Sequence, residues 1–341
     1  MTRRRRPQGI SATCKCAFVA LLTIAAILPV YGQSYKYFRL GSAADTHTMP
    51  LAGYALMGGG KDLDDAFKWL CDRASGGDFL VLRAHGDDDY NLYINGLCKA
   101  NSVATLILPD RTAAQDPKVA EIIRQAEAIF IAGGDQANYL NFWADTPVET
   151  EINKAPGRGV PLGGTSAGLA VMGEFVYSAQ GDAPDDPDLT SVLALSNPFH
   201  PRVTLRGAFL NIPILRNMLI DTHFKARDRM GRTLTFLSRI VQDGWSPHPR
   251  EIAVDEKTAV LLDPDGKATV VGKSTVYFMQ VTGPPEVCRA NEPLTLAEIR
   301  IYRLGPGSQF DMTKWLGTEG LSYTLSVNKG TVHSTAGGGA I

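Results

Sequence analysis

From Gly53 to about Gly173 the chain alternates short, near-continuous apolar runs with segments whose apolar residues recur at helical spacing. Tyr54-Ala55-Leu56-Met57, Phe79-Leu80-Val81-Leu82, Val103 to Leu108 and Ala128 to Ala132 read as strands. Leu63, Ala66, Phe67 and Leu70 mark a helix after the first of them, with Asp62 as its expected cap. Pro117 to Ala126 marks another, with Pro117 in its first turn. Strands that lack a polar face need cover on both sides. The pattern therefore predicts an α/β fold: a doubly wound, mostly parallel sheet with helices on both faces. Ligands in such sheets bind beyond the carboxyl ends of the strands.

The texture changes downstream. Gln180 to Pro201, rich in Asp, Pro and Ser, reads as a surface loop. A helix is expected from about Leu210 to Thr222, followed by a basic helix through Arg239. From about residue 251 onward, short β-branched runs such as Ala259-Val260-Leu261-Leu262 and Ala268-Thr269-Val270-Val271 are punctuated by Pro264-Asp265-Gly266 and Gly272-Lys273, as hairpins would be. No convincing linker separates the two regions. Residues 33–341 are therefore expected to form a single domain with a β-rich C-terminal extension.

Composition supports an ordinary globular core: 341 residues, 44% hydrophobic and 20% charged, with a net charge of -1. Near-neutral charge sets nucleic acid aside as a partner. The basic run Arg3-Arg4-Arg5-Arg6, the apolar stretch Ala17 to Val30 and the small residue Gly32 follow the order of a signal peptide over residues 1–32. The apolar stretch is shorter than the roughly 20 residues that span a bilayer, which favours cleavage and a secreted or periplasmic protein without membrane attachment over an uncleaved anchor. Of the cysteines beyond it, Cys71, Cys98 and Cys288, an oxidising compartment allows one disulfide and one free thiol, with Cys71–Cys98 as the expected pair. No C-x-x-C pair occurs there and the histidines are scattered, so no metal is expected. Gly58-Gly59-Gly60 lacks dinucleotide-site spacing, so no nucleotide or other cofactor is expected either.

The candidate chemistry centres on Gly163-Gly164-Thr165-Ser166-Ala167-Gly168, directly after Val160-Pro161-Leu162. A serine between glycines at a strand-to-helix turn fits a nucleophile elbow, in which Gly164 and Gly168 leave no room for a Cβ and the hydroxyl projects into a cleft. An ordinary Gly-rich turn reads the same way. A serine needs a base, and among six histidines His223 stands out for its company, Asp221-Thr222-His223-Phe224-Lys225-Ala226-Arg227-Asp228-Arg229-Met230-Gly231-Arg232. Its arginines suit a carboxylate-binding pocket; a solvated basic helix is the plainer alternative. His85 with Asp87, Asp88 and Asp89 reads as a solvated loop.

Together with Gly133-Gly134-Asp135-Gln136 and Ile252-Ala253-Val254-Asp255-Glu256-Lys257-Thr258-Ala259, these segments give the chain a resemblance to the cyanophycinases of peptidase family S51, which have a class I glutamine amidotransferase-like fold. The resemblance implies Ser166 as nucleophile, His223 as general base and then acid, and Glu256 as the acid that orients His223; the acidic Gln180–Pro201 loop offers Asp182 as the alternative third member. It implies Gly134 and Ala167 as oxyanion donors, and Gln136, Asp221, Thr222, Arg227, Arg229 and Arg232 as the substrate-binding set. Thr222 departs from the family pattern, which has a glutamine there. The implied substrate is cyanophycin, a poly-aspartate backbone carrying arginine on its side-chain carboxyls, cut to β-Asp-Arg dipeptides without a cofactor; a homodimer is a further implication. An aspartyl or isoaspartyl dipeptidase and a non-catalytic binding protein on the same fold are the rival readings.

Overall fold

The computed structural model describes residues 1–2, 34–181 and 188–337. The chain divides into two units, Met1–Gly32 and Gln33–Ile341, and every described strand and helix belongs to the second. The signal-peptide reading lies outside the described residues except for its first two, and Asp182 lies outside them altogether.

The strands in chain order begin with β1 (Lys36–Gly41), β2 (Tyr54–Met57), β3 (Asp78–Arg83), β4 (Ser102–Ile107), β5 (Ala128–Ile131) and β6 (Leu162–Thr165). After the short pair β7 (Val176–Tyr177) and β8 (Leu205–Arg206) come β9 (Met218–Asp221), β10 (Arg250–Val254), β11 (Thr258–Leu262), β12 (Lys267–Gly272) and β13 (Val276–Val281). The last are β14 (Leu296–Leu304), β15 (Gln309–Asp311), β16 (Leu316–Gly317), β17 (Gly320–Asn328) and β18 (Thr331–Ser334). They build a ten-stranded sheet of order β1-β4-β3-β5-β6-β2-β11-β12-β15-β16 and a six-stranded sheet of order β18-β17-β14-β13-β10-β9. In the first, β4-β3-β5-β6-β2 is a parallel block, flanked by antiparallel β1 and β11.

The apolar runs are near-continuous because successive side chains go to opposite covered faces. Leu56, Leu80, Leu82, Leu106 and Ile129 face one core with the helices Pro117–Arg124, Gln136–Trp143 and Pro147–Lys154. Ala55, Met57, Phe79, Val81 and Phe130 face another with Phe67 and Leu70 of the helix Asp64–Ala74. Each fully buried Leu or Phe there stabilises the fold by about 2 kcal/mol. The first core continues through Ile220, Ile252, Val254 and Phe278, so it also packs the six-stranded sheet. The β-rich extension is thus divided: β11, β12, β15 and β16 widen the main sheet, and the rest form the second.

Three local expectations are corrected. Leu210 to Thr222 is not a helix: a single 3-10 turn, Pro213–Leu215, precedes β9, which pairs in parallel with β10. Its run Met218-Leu219-Ile220 is buried on both faces, Leu219 in one core and Ile220 in another, and a short apolar run of that kind has no periodicity to distinguish strand from helix. The basic segment turns helical only at Met230, running to Gln242, which leaves His223 off any helix. Asp62 does not cap the helix Asp64–Ala74, whose N-cap is Leu63 without a side-chain hydrogen bond. Its carboxylate is used elsewhere. Within the expected loop Gln180–Pro201 a short helix, Ser191–Ser196, is capped by Thr190. Cys71 and Cys98 form a disulfide between the helix Asp64–Ala74 and the end of the helix Asp89–Leu97, and Cys288 is a buried free thiol.

Candidate active site

The centre of the site is the turn out of β6. Ser166 sits there at φ 51° and ψ -121°, a conformation that an L-residue holds only when the surroundings impose it. The imposition comes from close packing. A Cβ on Gly164 would lie 2.6 Å from the Gly168 carbonyl oxygen, and one on Gly168 would lie 2.1 Å from that of Ile131. The Ser166 amide donates to the Met57 carbonyl at 3.1 Å, tying the turn to the neighbouring strand β2.

His223 follows β9, and its Nε2 lies 2.7 Å from Ser166 Oγ. Its Nδ1 is 2.7 Å from Glu256 Oε1, in the turn between β10 and β11. An ionised carboxylate only accepts, so Nδ1–H donates to Glu256 and Nε2 is left to accept the Ser166 proton. The backbone fixes this line. His223 N donates to the Gly58 carbonyl at 2.8 Å, and Lys257 N to the Gly59 carbonyl at 2.9 Å. Gly59, at φ 97°, lies under the imidazole: a Cβ there would be 2.4 Å from Nε2. Asp255 Oδ1 accepts from Lys225 N and Ala226 N at 3.0 and 2.9 Å, anchoring the loop behind His223. Burial lowers the pKa of His223; the Glu256 hydrogen bond opposes this, but Arg227 and Arg229 add to it, and the ring ends below its usual 6.5.

Two further groups shape the turn, and neither role is visible in the sequence. Asp62 accepts from Thr165 Oγ1 and from the Tyr90 hydroxyl, each at 2.6 Å, immediately beside Ser166. Burial raises its pKa against the pull of those two hydrogen bonds. The buried Tyr139 hydroxyl lies 2.7 Å from the Ala132 carbonyl and 3.0 Å from that of Gly133. In a trans peptide C=O and N–H point opposite ways, so holding the Gly133 carbonyl turns the Gly134 N–H away from Tyr139. Gly134 and Ala167 both line the cavity in front of Ser166.

That cavity, about 640 Å³, also contains Gln136, Thr222, Arg227, Arg229, Arg232 and Asp221 on its walls. Glu256 stands behind His223. The arginines are not equivalent. Arg232 is buried, stacks 5.0 Å from the Tyr177 ring and meets Asp221 through Nε at 2.8 Å and through Nη2. Asp221 also takes the Thr222 amide at 2.8 Å. Asp221 and Arg232 thus hold each other while both stand on the cavity wall, and breaking a buried pair of this kind leaves an uncompensated charge. Arg229 donates through Nη1 to the Thr222 carbonyl at 2.9 Å. Arg227 Nη1 and Arg229 Nη2 both end on Asp188 Oδ2. His85 is exposed, and Arg83 Nε takes its carbonyl at 2.6 Å, keeping that loop structural.

Comparison with known proteins gives a consistent set of relatives. A family model for peptidase family S51 matches residues 87–202, a span that includes Ser166 but neither His223 nor Glu256. A cyanophycinase of Geminocystis herdmanii is 31% identical over 220 residues, covering 62% of this chain and 72% of that protein. A cyanophycinase of Trichormus variabilis is 28% identical over 219 residues, covering 62% and 66%. Among solved structures, a peptidase from an acI-B1 actinobacterium superposes with a TM-score of 0.50 at 18% identity over 77% of this chain and 98% of that one, which speaks for a shared fold.

Proposed function

Because this chain belongs to peptidase family S51, we propose that it is a serine peptidase whose Ser166 attacks a backbone carbonyl of cyanophycin and releases β-Asp-Arg dipeptides. The observation that carries the reading is the continuous line Ser166 Oγ, His223, Glu256, at 2.7 Å per link. In the first step Oγ bonds to the carbonyl carbon while Nε2 takes its proton, and the oxyanion is met by the Ala167 and Gly134 amides. The imidazolium, steadied by Glu256, then protonates the leaving amine as the C–N bond breaks. Water, deprotonated by the same ring, cleaves the acyl-serine ester and returns the proton to Oγ.

Substrate choice follows from the cavity. Arg227 and Arg229 face it with a bidentate-capable pair suited to free carboxylates, which this polymer carries. One observation favours a second reading, a peptidase for aspartyl dipeptides: Asp221 is occupied by Arg232, and Thr222 is short, so this wall offers a substrate guanidinium little. Incubating the protein and its Ser166→Ala variant with cyanophycin and with aspartyl dipeptides separates them. Dipeptide release from the polymer by wild type alone supports the first reading, and cleavage of dipeptides only selects the second. Turnover of neither leaves the non-catalytic binding protein. Ser166→Ala should lower kcat by about 10⁵ to 10⁶ in either enzymatic case. Export through residues 1–32 belongs to the proposal, and a secreted protein that still begins at Met1 would refute it.

A further inference from the structure

Two of the cavity's three arginines converge on one atom. Arg227 Nη1 lies 2.7 Å from Asp188 Oδ2, and Arg229 Nη2 meets the same oxygen. Arg232 pairs with Asp221, and the other arm of Arg229 donates to the Thr222 carbonyl and lies 3.4 Å from Asp221 Oδ1. The guanidinium groups left to receive an incoming carboxylate are thus the ones a carboxylate of this chain already holds. We propose that Asp188 is the resident occupant of the anion subsite, and that an acidic ligand enters by exchange with it. This rests on the peptidase reading, in which the substrate presents a free carboxylate.

The chemistry of the pair favours exchange. The Asp188 side chain is 48% exposed and that of Arg227 45%, so water reaches the contact and its two charges are not locked away. Arg229 is different: at 8% exposure it is a fixed cation that must have an anion in front of it. Asp188 supplies that anion on the cavity side, and Asp221, 3.4 Å from Nη1, supplies one on the buried side. Burial pushes its carboxyl up, but the Arg229 charge and the Arg227 hydrogen bond outweigh this and hold it at about 2, so at neutral pH it is a full carboxylate. A ligand carboxylate gains the same two partners only after displacing it, whereas a neutral ligand leaves the contact undisturbed. The residue therefore sets a threshold: weak acids are held off, and a substrate with further contacts along the cavity passes.

A role in aligning the arginines predicts the opposite sign. Isothermal titration with succinate, a simple dicarboxylate, distinguishes the two roles in wild type, Asp188→Asn and Asp188→Ser. Exchange predicts that both variants bind succinate about two- to fivefold more tightly than wild type, the amount by which a half-exposed ion pair would compete. It also predicts that Arg227→Gln weakens binding in the Asp188→Asn background. Succinate binding that is unchanged, weaker or absent in both variants overturns the proposal. Thermal unfolding of the near-isosteric Asp188→Asn guards against a folding defect, and Asp188→Ser gives a second, smaller side chain. With an acidic peptide substrate, KM should fall in Asp188→Asn. If wild type cleaves no aspartyl peptide, the functional reading fails while the succinate titration still decides the role of Asp188.

Discussion

The His223 ring is held by a backbone carbonyl at its amide, Gly59 beneath it and Glu256 at Nδ1. Its lowered pKa means that it is neutral, and able to act as a base, to below pH 6.5. The acid limb of kcat/KM should therefore lie under that value, and Arg227→Gln, which removes a repelling cation, should move it upward in a pH–rate profile. The same shift makes the unfolded chain bind more protons than the folded one below 6.5, so this residue's contribution to stability is complete above that pH and is lost as pH falls through it. Glu256→Gln should cut kcat by about 10³ to 10⁴ with little change in the circular dichroism spectrum. Gly59→Ala should cost about a hundredfold in kcat, because its Cβ would displace an imidazole that a 1 Å error disables. Ser166, His223 and Glu256 were legible from their motifs. Gly59, Tyr139, Asp62 and Asp188 were not, because each acts through a partner the sequence does not place beside it.

At the level of elements, the parallel block was legible because strands covered on both faces leave an uninterrupted apolar signature. β9 was missed for the same physical reason, reversed: four buried residues carry no period, and their partner β10 begins some thirty residues later. The division of the C-terminal hairpins between two sheets has no local signal at all, since it depends on which older strand each one meets. The Cys71–Cys98 link staples the helix Asp64–Ala74 to the end of the helix Asp89–Leu97, on the side of the sheet away from Tyr139 and the arginines. Replacing both cysteines by serine reopens a 27-residue separation in the unfolded chain and should lower stability by about 3 kcal/mol in a urea titration. Because neither cysteine touches the cavity, kcat should stay within twofold of wild type.

Across the whole molecule, one core packs residues of both large sheets, from Leu56 and Ile131 to Ile220 and Phe278. That interior belongs to neither sheet alone. Unfolding in urea followed by ellipticity and by activity should therefore give the same midpoint, and an activity loss well before the ellipticity change would show that the sheets part separately. The site has the same dependence. Ser166 ends a strand of the ten-stranded sheet, His223 follows a strand of the six-stranded one, and Glu256 stands on the turn that passes from one to the other. Any cut between residues 166 and 223 leaves Ser166 on one piece and His223 and Glu256 on the other. The fold thus has the layout of a split reporter: two inert fragments whose reassociation would be read directly as catalysis.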